Sequence, residues 1–279
     1  MYTKNNEEFQ IFHKNGEVSR VDKKVFELVK EYTKKEDNDK KLPKFYDLAN
    51  FIKTYDKRFL EFYSFILMNH HLSSSQLFQD LFVLFVLRGK KNGQFLEFGA
   101  TNGVDFSNTK SLEEKFGWQG VLAEPSPQWH DQLRKNRPSA QILTDCVFSS
   151  SGETLDFFVS HTGEHSTLQE YRNSSNYADN LYRNEAGKLV KVSTISLNDV
   201  FVKYFDSNPI DYMSVDTEGS ELTILKSFDF EKFGPKLVTV EHCEIPDYQS
   251  KINELFLANN YQCAFKGFSQ FDGWYIRNS

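Results

Sequence analysis

The chain has 279 residues and a formal net charge of −6, which excludes the basic face of a general phosphate-backbone binder but allows a small cofactor held by backbone amides. Hydrophobic residues make up 39%, enough for a full core, and 27 Phe against 3 Met and 3 Trp make that core rich in phenylalanine. Cys146, Cys243 and Cys263 form no C-x-x-C pair, Met1–Gln10 has no apolar signal core, and the most apolar stretch, Leu77–Leu87, is too short to span a bilayer. These features predict a soluble cytoplasmic protein with no membrane span and no nucleic-acid partner.

The length suits one full domain with an extension. Residues 1–73 form the extension and residues 74–279 the main domain. Val18–Lys44 is dense in charge, with Val21, Val25, Phe26 and Val29 on one helical face. Pro43 interrupts it, and the aromatic stretch Tyr46–Met68 is a second predicted helix. The extension is therefore expected to be a helical layer or cap. From Ser74 the pattern changes. Ser74 and Ser75 can cap a helix over Leu77–Arg88, and Gly89–Gly93 is a turn.

Strands and helices then alternate. Strands are predicted at Gln94–Phe98, Gly120–Glu124 and Gln141–Thr144, with helices at Asn108–Phe116 and Gln128–Lys135 between them. Thr154–Val159 is a further strand, and His161–Ala186 reads as a long polar loop. Alternation resumes with a strand at Val190–Ile195, a helix at Leu197–Tyr204, a strand at Tyr212–Val215 and a helix at Ser220–Lys226. A strand at Leu237–Glu241, a helix at Ile252–Asn259 and a hairpin over Tyr261–Arg277 complete the chain. This order predicts an α/β fold with a mostly parallel sheet, helices on both faces and a C-terminal antiparallel hairpin.

The strongest local signal is Phe95-Leu96-Glu97-Phe98-Gly99-Ala100-Thr101-Asn102-Gly103. A strand ends in a carboxylate, and two glycines follow four apart before a helix. Glycine tolerates positive φ and close backbone approach, and amides at a helix start receive polar groups. The dinucleotide fingerprint G-x-G-x-x-G has a different spacing. An acid before the first glycine suits the cationic amino-acid end of a sulfonium cofactor. Glu124 closes the next strand, where an acid meets ribose hydroxyls. Asp145 follows the third strand and could accept from an adenine amino group. Asp216-Thr217-Glu218-Gly219-Ser220-Glu221 and Glu241-His242-Cys243-Glu244 end two further strands. They offer a general base, or oxygen and nitrogen ligands for a divalent ion at Asp216, Glu241 and His242 that the chemistry does not require.

Glu97-Phe98-Gly99 through Asn108-Thr109, Glu124-Pro125 and above all Val192–Phe228 resemble the FkbM family of methyltransferases. The most specific part is Ser196-Leu197-Asn198-Asp199 followed by Ile210–Glu221. The helix carrying Ser75-Gln76 and Gln79-Asp80 resembles the opening segment of that family, so the likeness runs from Ser74 to Trp274. It implies a Rossmann-like class I methyltransferase fold, S-adenosylmethionine as cofactor and methylation of a hydroxyl on a sugar, glycan or natural-product-like small molecule. Thr217 departs from the pattern, since the family often has Val or another apolar residue there.

The combined reading assigns cofactor contacts to Glu97, Gly99, Ala100, Asn102, Gly103, Asn108, Glu124, Pro125, Asp145 and Asp216. Asp216, Glu218 and His242 are the catalytic candidates. Gln79, Asp80, His161, His165 and Ser166 are the substrate candidates. The rival readings are a nicotinamide-dependent oxidoreductase on a similar sheet and an inactive cofactor-binding or scaffold protein. The loop spacing disfavours the first, and the carboxylates at the strand ends disfavour the second.

Overall fold

A computed structural model describes residues 2–5, 8–12, 18–21, 57–174, 180, 186–242, 245–266 and 268–278. The chain divides into two compact units, Met1–His71 and Leu72–Ser279. In the first, β1 (Tyr2–Asn5), β2 (Glu8–Phe12) and β3 (Val18–Val21) form an antiparallel sheet in that order, and α1 (Lys57–Asn69) covers the second half of the predicted helical stretch Tyr46–Met68 and runs one residue past it. Val18–Val21 is thus a strand rather than the opening of a helix. Its valines stand opposite Phe12 and Phe9, so strand pairing within a short meander overrides the charged helical pattern. The rest of that expected helix, residues 22–44, lies outside the described residues.

The second unit begins with α2 (Gln79–Val86), followed by β4 (Gln94–Phe98), α3 (Lys110–Phe116), β5 (Gln119–Ala123), α4 (His130–Asn136) and β6 (Gln141–Leu143). Then come β7 (Cys146–Phe148), β8 (Thr154–Ser160), β9 (Thr167–Leu168), β10 (Gly187–Ser196), α5 (Leu197–Tyr204) and β11 (Tyr212–Val215). The chain closes with α6 (Glu221–Lys226), α7 (Phe230–Phe233), β12 (Leu237–Glu241), α8 (Pro246–Ala258), β13 (Tyr261–Ala264) and β14 (Asp272–Arg277).

Two sheets result. A seven-stranded sheet has the order β13-β14-β12-β11-β4-β5-β6. β12, β11, β4, β5 and β6 run parallel, while β14 is antiparallel to β12 and β13 to β14. A four-stranded sheet has the order β7-β10-β8-β9. All residues of β11 and all but the first of β4 are buried, as in parallel strands covered on both faces. From β4 the chain proceeds outward to β5 and β6, then returns to the other side of β4 through β11 and β12. The strand order therefore reverses between β4 and β11, and open α/β sheets bind ligands outside the carboxyl ends of the strands at such a point.

Several short elements escape the sequence pattern. β7, β9 and α7 are each four residues or fewer. α8 starts at Pro246, well before the predicted Ile252, because proline is suited to a first helical turn. α2 starts later than predicted, after Phe78 in the left-handed region at φ 65°. The serine cap is met in part and answered in reverse: Ser75 Oγ accepts from Asp80 N at 3.1 Å, while the Asp80 carboxylate accepts from Ser73 Oγ at 2.6 Å and from Ser74 N at 2.9 Å. Phenylalanine accounts for much of the packing. Phe201, Phe228, Phe230, Phe233 and Phe256 are buried together, and Phe256 stacks on Tyr275 with ring centroids 3.9 Å apart. On α2, Phe82 stacks on Trp274 at 4.9 Å. Among the described residues no helix is long and apolar enough to cross a membrane.

Candidate cofactor and reaction site

The loop after β4 is held open by its own residues. Gly99 has φ 68° and Gly103 φ 75°, values that a side chain would strain. The close approach at both glycines is to protein. A Cβ on residue 99 would stand 2.3 Å from the Asp216 carbonyl oxygen, and one on residue 103 would stand 2.6 Å from Leu133 Cδ1 and 2.7 Å from Arg137 Cγ. Asn102 shapes the turn: its Oδ1 accepts from Val104 N at 2.9 Å and Asp105 N at 3.0 Å. Asn102 and Gly103 do not line the cavity described below, whereas Gly99 and Ala100 do.

Glu97 anchors the far side of the same loop. Its carboxylate accepts from Asn108 N at 2.8 Å, Ser107 Oγ at 3.1 Å and Thr109 Oγ1. Burial pushes its pKa above the usual range, opposed by the charge of Arg137 and by these bonds. Arg137, which the sequence reading did not single out, is fully buried and organises this corner. It donates to Ser107 Oγ and Thr109 Oγ1, both at 3.0 Å, and pairs with Glu113 at 2.5 Å. The two glutamates and the arginine thus fix the loop through shared hydroxyls. Asn108 Nδ2 donates to Ser214 Oγ at 2.9 Å, while Asn108 Oδ1 is buried without a hydrogen-bond partner.

Glu124 follows β5 directly. One carboxylate oxygen accepts from Thr101 N at 2.9 Å and the other from Ser126 N at 2.7 Å. Burial raises its pKa to about 7 against these two bonds. Glu124 and Pro125 line the cavity, as do Cys146 and Val147, but Asp145 does not. Burial and the charges of Glu124 and Asp145 push the Cys146 thiol up to about 12, so it stays neutral.

The loop after β11 is clasped by Glu221. Its Oε1 accepts from Thr217 N at 2.8 Å, Gly219 N at 3.0 Å and Thr217 Oγ1 at 3.0 Å, and its Oε2 accepts from Tyr248 Oη at 2.7 Å. The hydroxyl of Thr217, the residue that departs from the family pattern, is therefore used to hold the turn. Glu218 adopts φ 61° and stands 3.4 Å from His165 Nδ1. Thr167 Oγ1 donates to the Glu218 carbonyl at 3.0 Å, tying the β8–β9 region to this loop. The Asp216 and Glu241 carboxylates approach within 4.8 Å, and enclosure by protein together with the Glu218 charge pushes the Asp216 pKa well above the carboxylate range.

These loops surround one cavity of about 310 Å³. Of the expected residues it is lined by Glu97, Gly99, Ala100, Asn108, Glu124, Pro125, His165, Ser166, Asp216, Glu218 and Glu241. Phe98, Thr101, Phe106, Phe157, Leu168 and Phe271 also line it and were not foreseen. So do the further acids Asp105 and Glu164, and no Lys or Arg is among the described lining residues.

The remaining expected residues lie outside this lining. His242 is buried, and its Nε2 is 3.0 Å from Gln249 Nε2, where the amide can donate to the imidazole. Gln79 donates to Asp272 Oδ2 at 2.8 Å, and Asp80, besides its serine contacts, accepts from Ser111 Oγ at 2.7 Å, so both are spent on packing α2. His161 sits at an exposed turn after β8, its amide bonded to the Ala186 carbonyl at 3.0 Å.

The expected metal set changes as well. Asp216, Glu221 and Glu241 have carboxylate oxygens within 4.8 Å of one another, and His242 is not of the group. Glu221 has its oxygens filled by four donors from the protein itself. A hard divalent ion, which wants about six oxygen ligands, does not fit that donor set. The cavity fits S-adenosylmethionine better. The buried Asn108 Oδ1 is available to an ammonium N–H, the lining carboxylates suit a cation, and Glu124 brings to the same cavity a carboxylate able to accept from hydroxyls.

A family model described as the methyltransferase FkbM domain matches residues 97–263. No curated protein matches the chain. Among solved structures, the chain is similar to a TehB-like SAM-dependent methyltransferase from Corynebacterium glutamicum, with 8% identity, coverage of 78% of this chain and 97% of that one, and a TM-score of 0.38. It is similar also to Aeropyrum pernix fibrillarin in complex with natively bound S-adenosyl-L-methionine, with 8% identity, coverage of 99% and 98%, and a TM-score of 0.38. A third is precorrin-6y C5,15-methyltransferase from Geobacter metallireducens, with 10% identity, coverage of 71% and 84%, and a TM-score of 0.37.

Proposed function

This chain belongs to the FkbM family of methyltransferases, and from that premise and the cavity's geometry we propose that it transfers the methyl group of S-adenosylmethionine to a hydroxyl oxygen. The fold is the Rossmann-like class I methyltransferase fold, and the activity is S-adenosylmethionine-dependent methyl transfer. The observation that carries the finer reading is that one cavity joins the glycine loop and Glu124 to Asp216, Glu218, Glu241 and His165.

When bound, S-adenosylmethionine supplies an electrophilic methyl carbon and its own leaving group. Glu124 accepts from the ribose hydroxyls, Asn108 Oδ1 takes the ammonium, and Cys146 and Val147 border the adenine. An alcohol is a weak nucleophile at neutral pH, so a base within hydrogen-bond reach must take its proton. Asp216, at the point where the strand order reverses, is that base. A carboxyl with a raised pKa binds the proton more firmly than an ordinary carboxylate does.

His165 and Ser166, on the segment tied to the Glu218 loop, contact the acceptor. The acidic lining favours an uncharged acceptor, such as a sugar, glycan or other small polyol, over nucleic acid. The free thiols of Cys146 and Cys263 suit a reducing cytoplasm. Labelled methyl transfer from S-adenosylmethionine to a panel of sugars, glycans and polyols tests the reading. A methyl ether located by NMR supports it; label found only on nitrogen or carbon rejects it.

A further inference from the structure

Gly99 and Asp216 directly follow the paired strands β4 and β11, and a Cβ on residue 99 would stand 2.3 Å from the Asp216 carbonyl. The acid therefore lies against the loop that takes the cofactor. Oxygens of its carboxyl and of the Glu241 carboxyl lie within 4.8 Å of one another at the ends of neighbouring strands, and both residues line the cavity. Two carboxylates that close in an enclosed site do not both ionise, so the pair holds one proton. The charges that face the pair are acidic: Glu218 from the same loop, Glu221 from α6 and Asp272 from β14. No Lys or Arg is among the described residues lining the cavity, and the one imidazole there, His165, is paired with Glu218.

We propose that Asp216 and Glu241 form a charge-matching subsite for the cofactor's sulfur, holding one proton when the sulfur is neutral and none when it carries the methyl group. The inference rests on reading the cavity as an S-adenosylmethionine site. A sulfonium beside the pair supplies the positive charge that the shared proton supplies otherwise, so binding it expels the proton.

In the transfer, the acceptor oxygen bonds to the methyl carbon, the C–S electron pair stays on sulfur, and the hydroxyl proton passes to the emptied pair. S-adenosylhomocysteine then leaves a protein already protonated as it began. The charge of the pocket stays constant through the cycle, and the proton reaches solvent when S-adenosylmethionine binds rather than during the chemical step.

Calorimetry on the full chain tests this without the acceptor. S-adenosylmethionine and S-adenosylhomocysteine are titrated in buffers of different ionisation heat between about pH 6 and about pH 8.5. The expected result is release of about one proton with the sulfonium and none with the thioether. The affinity ratio should shift towards the sulfonium as pH rises, by up to about tenfold per pH unit, since deprotonation then costs less. Asp216→Asn should abolish both effects while S-adenosylhomocysteine still binds. Glu241→Gln should remove the proton release, and the wild-type measurement stands alone if either variant fails to fold. Equal proton counts for the two compounds with a ratio flat in pH would overturn the subsite. Failure of both compounds to bind would instead overturn the reading of the cavity, and the subsite with it.

Discussion

Glu124→Gln is the most informative substitution, because it keeps the shape of a residue that holds both the protein and, on this account, the ribose. The native carboxylate takes Thr101 N at 2.9 Å and Ser126 N at 2.7 Å, one on each oxygen. A glutamine satisfies one amide and turns an NH2 towards the other. Losing a charge-assisted hydrogen bond costs about 1.5–3 kcal/mol, so S-adenosylhomocysteine should bind about 10-fold to about 150-fold more weakly.

The same substitution removes a titration. Burial raises Glu124 from 4.5 to about 7, so the folded state binds a proton that the unfolded state releases. That stabilisation is complete below the unfolded value and is lost as pH rises through about 7, amounting to about 3 kcal/mol. Denaturant melts of the ligand-free protein across this window, with calorimetry on S-adenosylhomocysteine, read both effects. The variant should lose the part of the downward slope with pH that belongs to Glu124. Wild-type affinity together with a wild-type slope would refute the reasoning.

Other perturbations separate scaffold from chemistry. Arg137→Leu leaves Glu113 and Glu97 without their buried cation and should destabilise the protein by about 3–5 kcal/mol in denaturant melts; a loss under about 1 kcal/mol would show that the pair is not needed. Gly99→Ala meets both a positive φ and the Asp216 carbonyl, with a backbone cost of about 1–2 kcal/mol before the clash, and a melting temperature equal to wild type would contradict the geometry. Methyl transfer should be indifferent to chelator, because Glu221 is committed to the loop; activity lost with chelator and restored by magnesium would reverse that conclusion.

The strands and the cavity's main carboxylates were legible because their signals are local. Buried apolar runs bounded by turn residues marked β4, β5, β11 and β12, and acids at their carboxyl ends marked Glu97, Glu124, Asp216 and Glu241. What was hidden depends on partners distant in sequence. Arg137 shows its role only when α4 comes to lie against Thr109 and Glu113. Asp80 looks like an acid near a substrate until Ser73, Ser74 and Ser111 are found around it. His242 and Glu241 are adjacent in sequence, yet only Glu241 lines the cavity, because neighbouring residues at a strand end point to opposite sides. Gly99 and Gly103 were read as room for a ligand; a side chain at either would meet Asp216, or Leu133 and Arg137, and only Gly99 also lines the cavity. β3 was masked by the charge of the Val18–Lys44 segment, whose apolar spacing matches a helix face.

The most direct measurement is a crystal structure of the full chain with S-adenosylhomocysteine. The account predicts the ribose hydroxyls on the Glu124 carboxylate, the ammonium at Asn108 Oδ1 and the sulfur beside Asp216. A ligand bound elsewhere, or bound with Glu124 and Asp216 both out of contact, would contradict it.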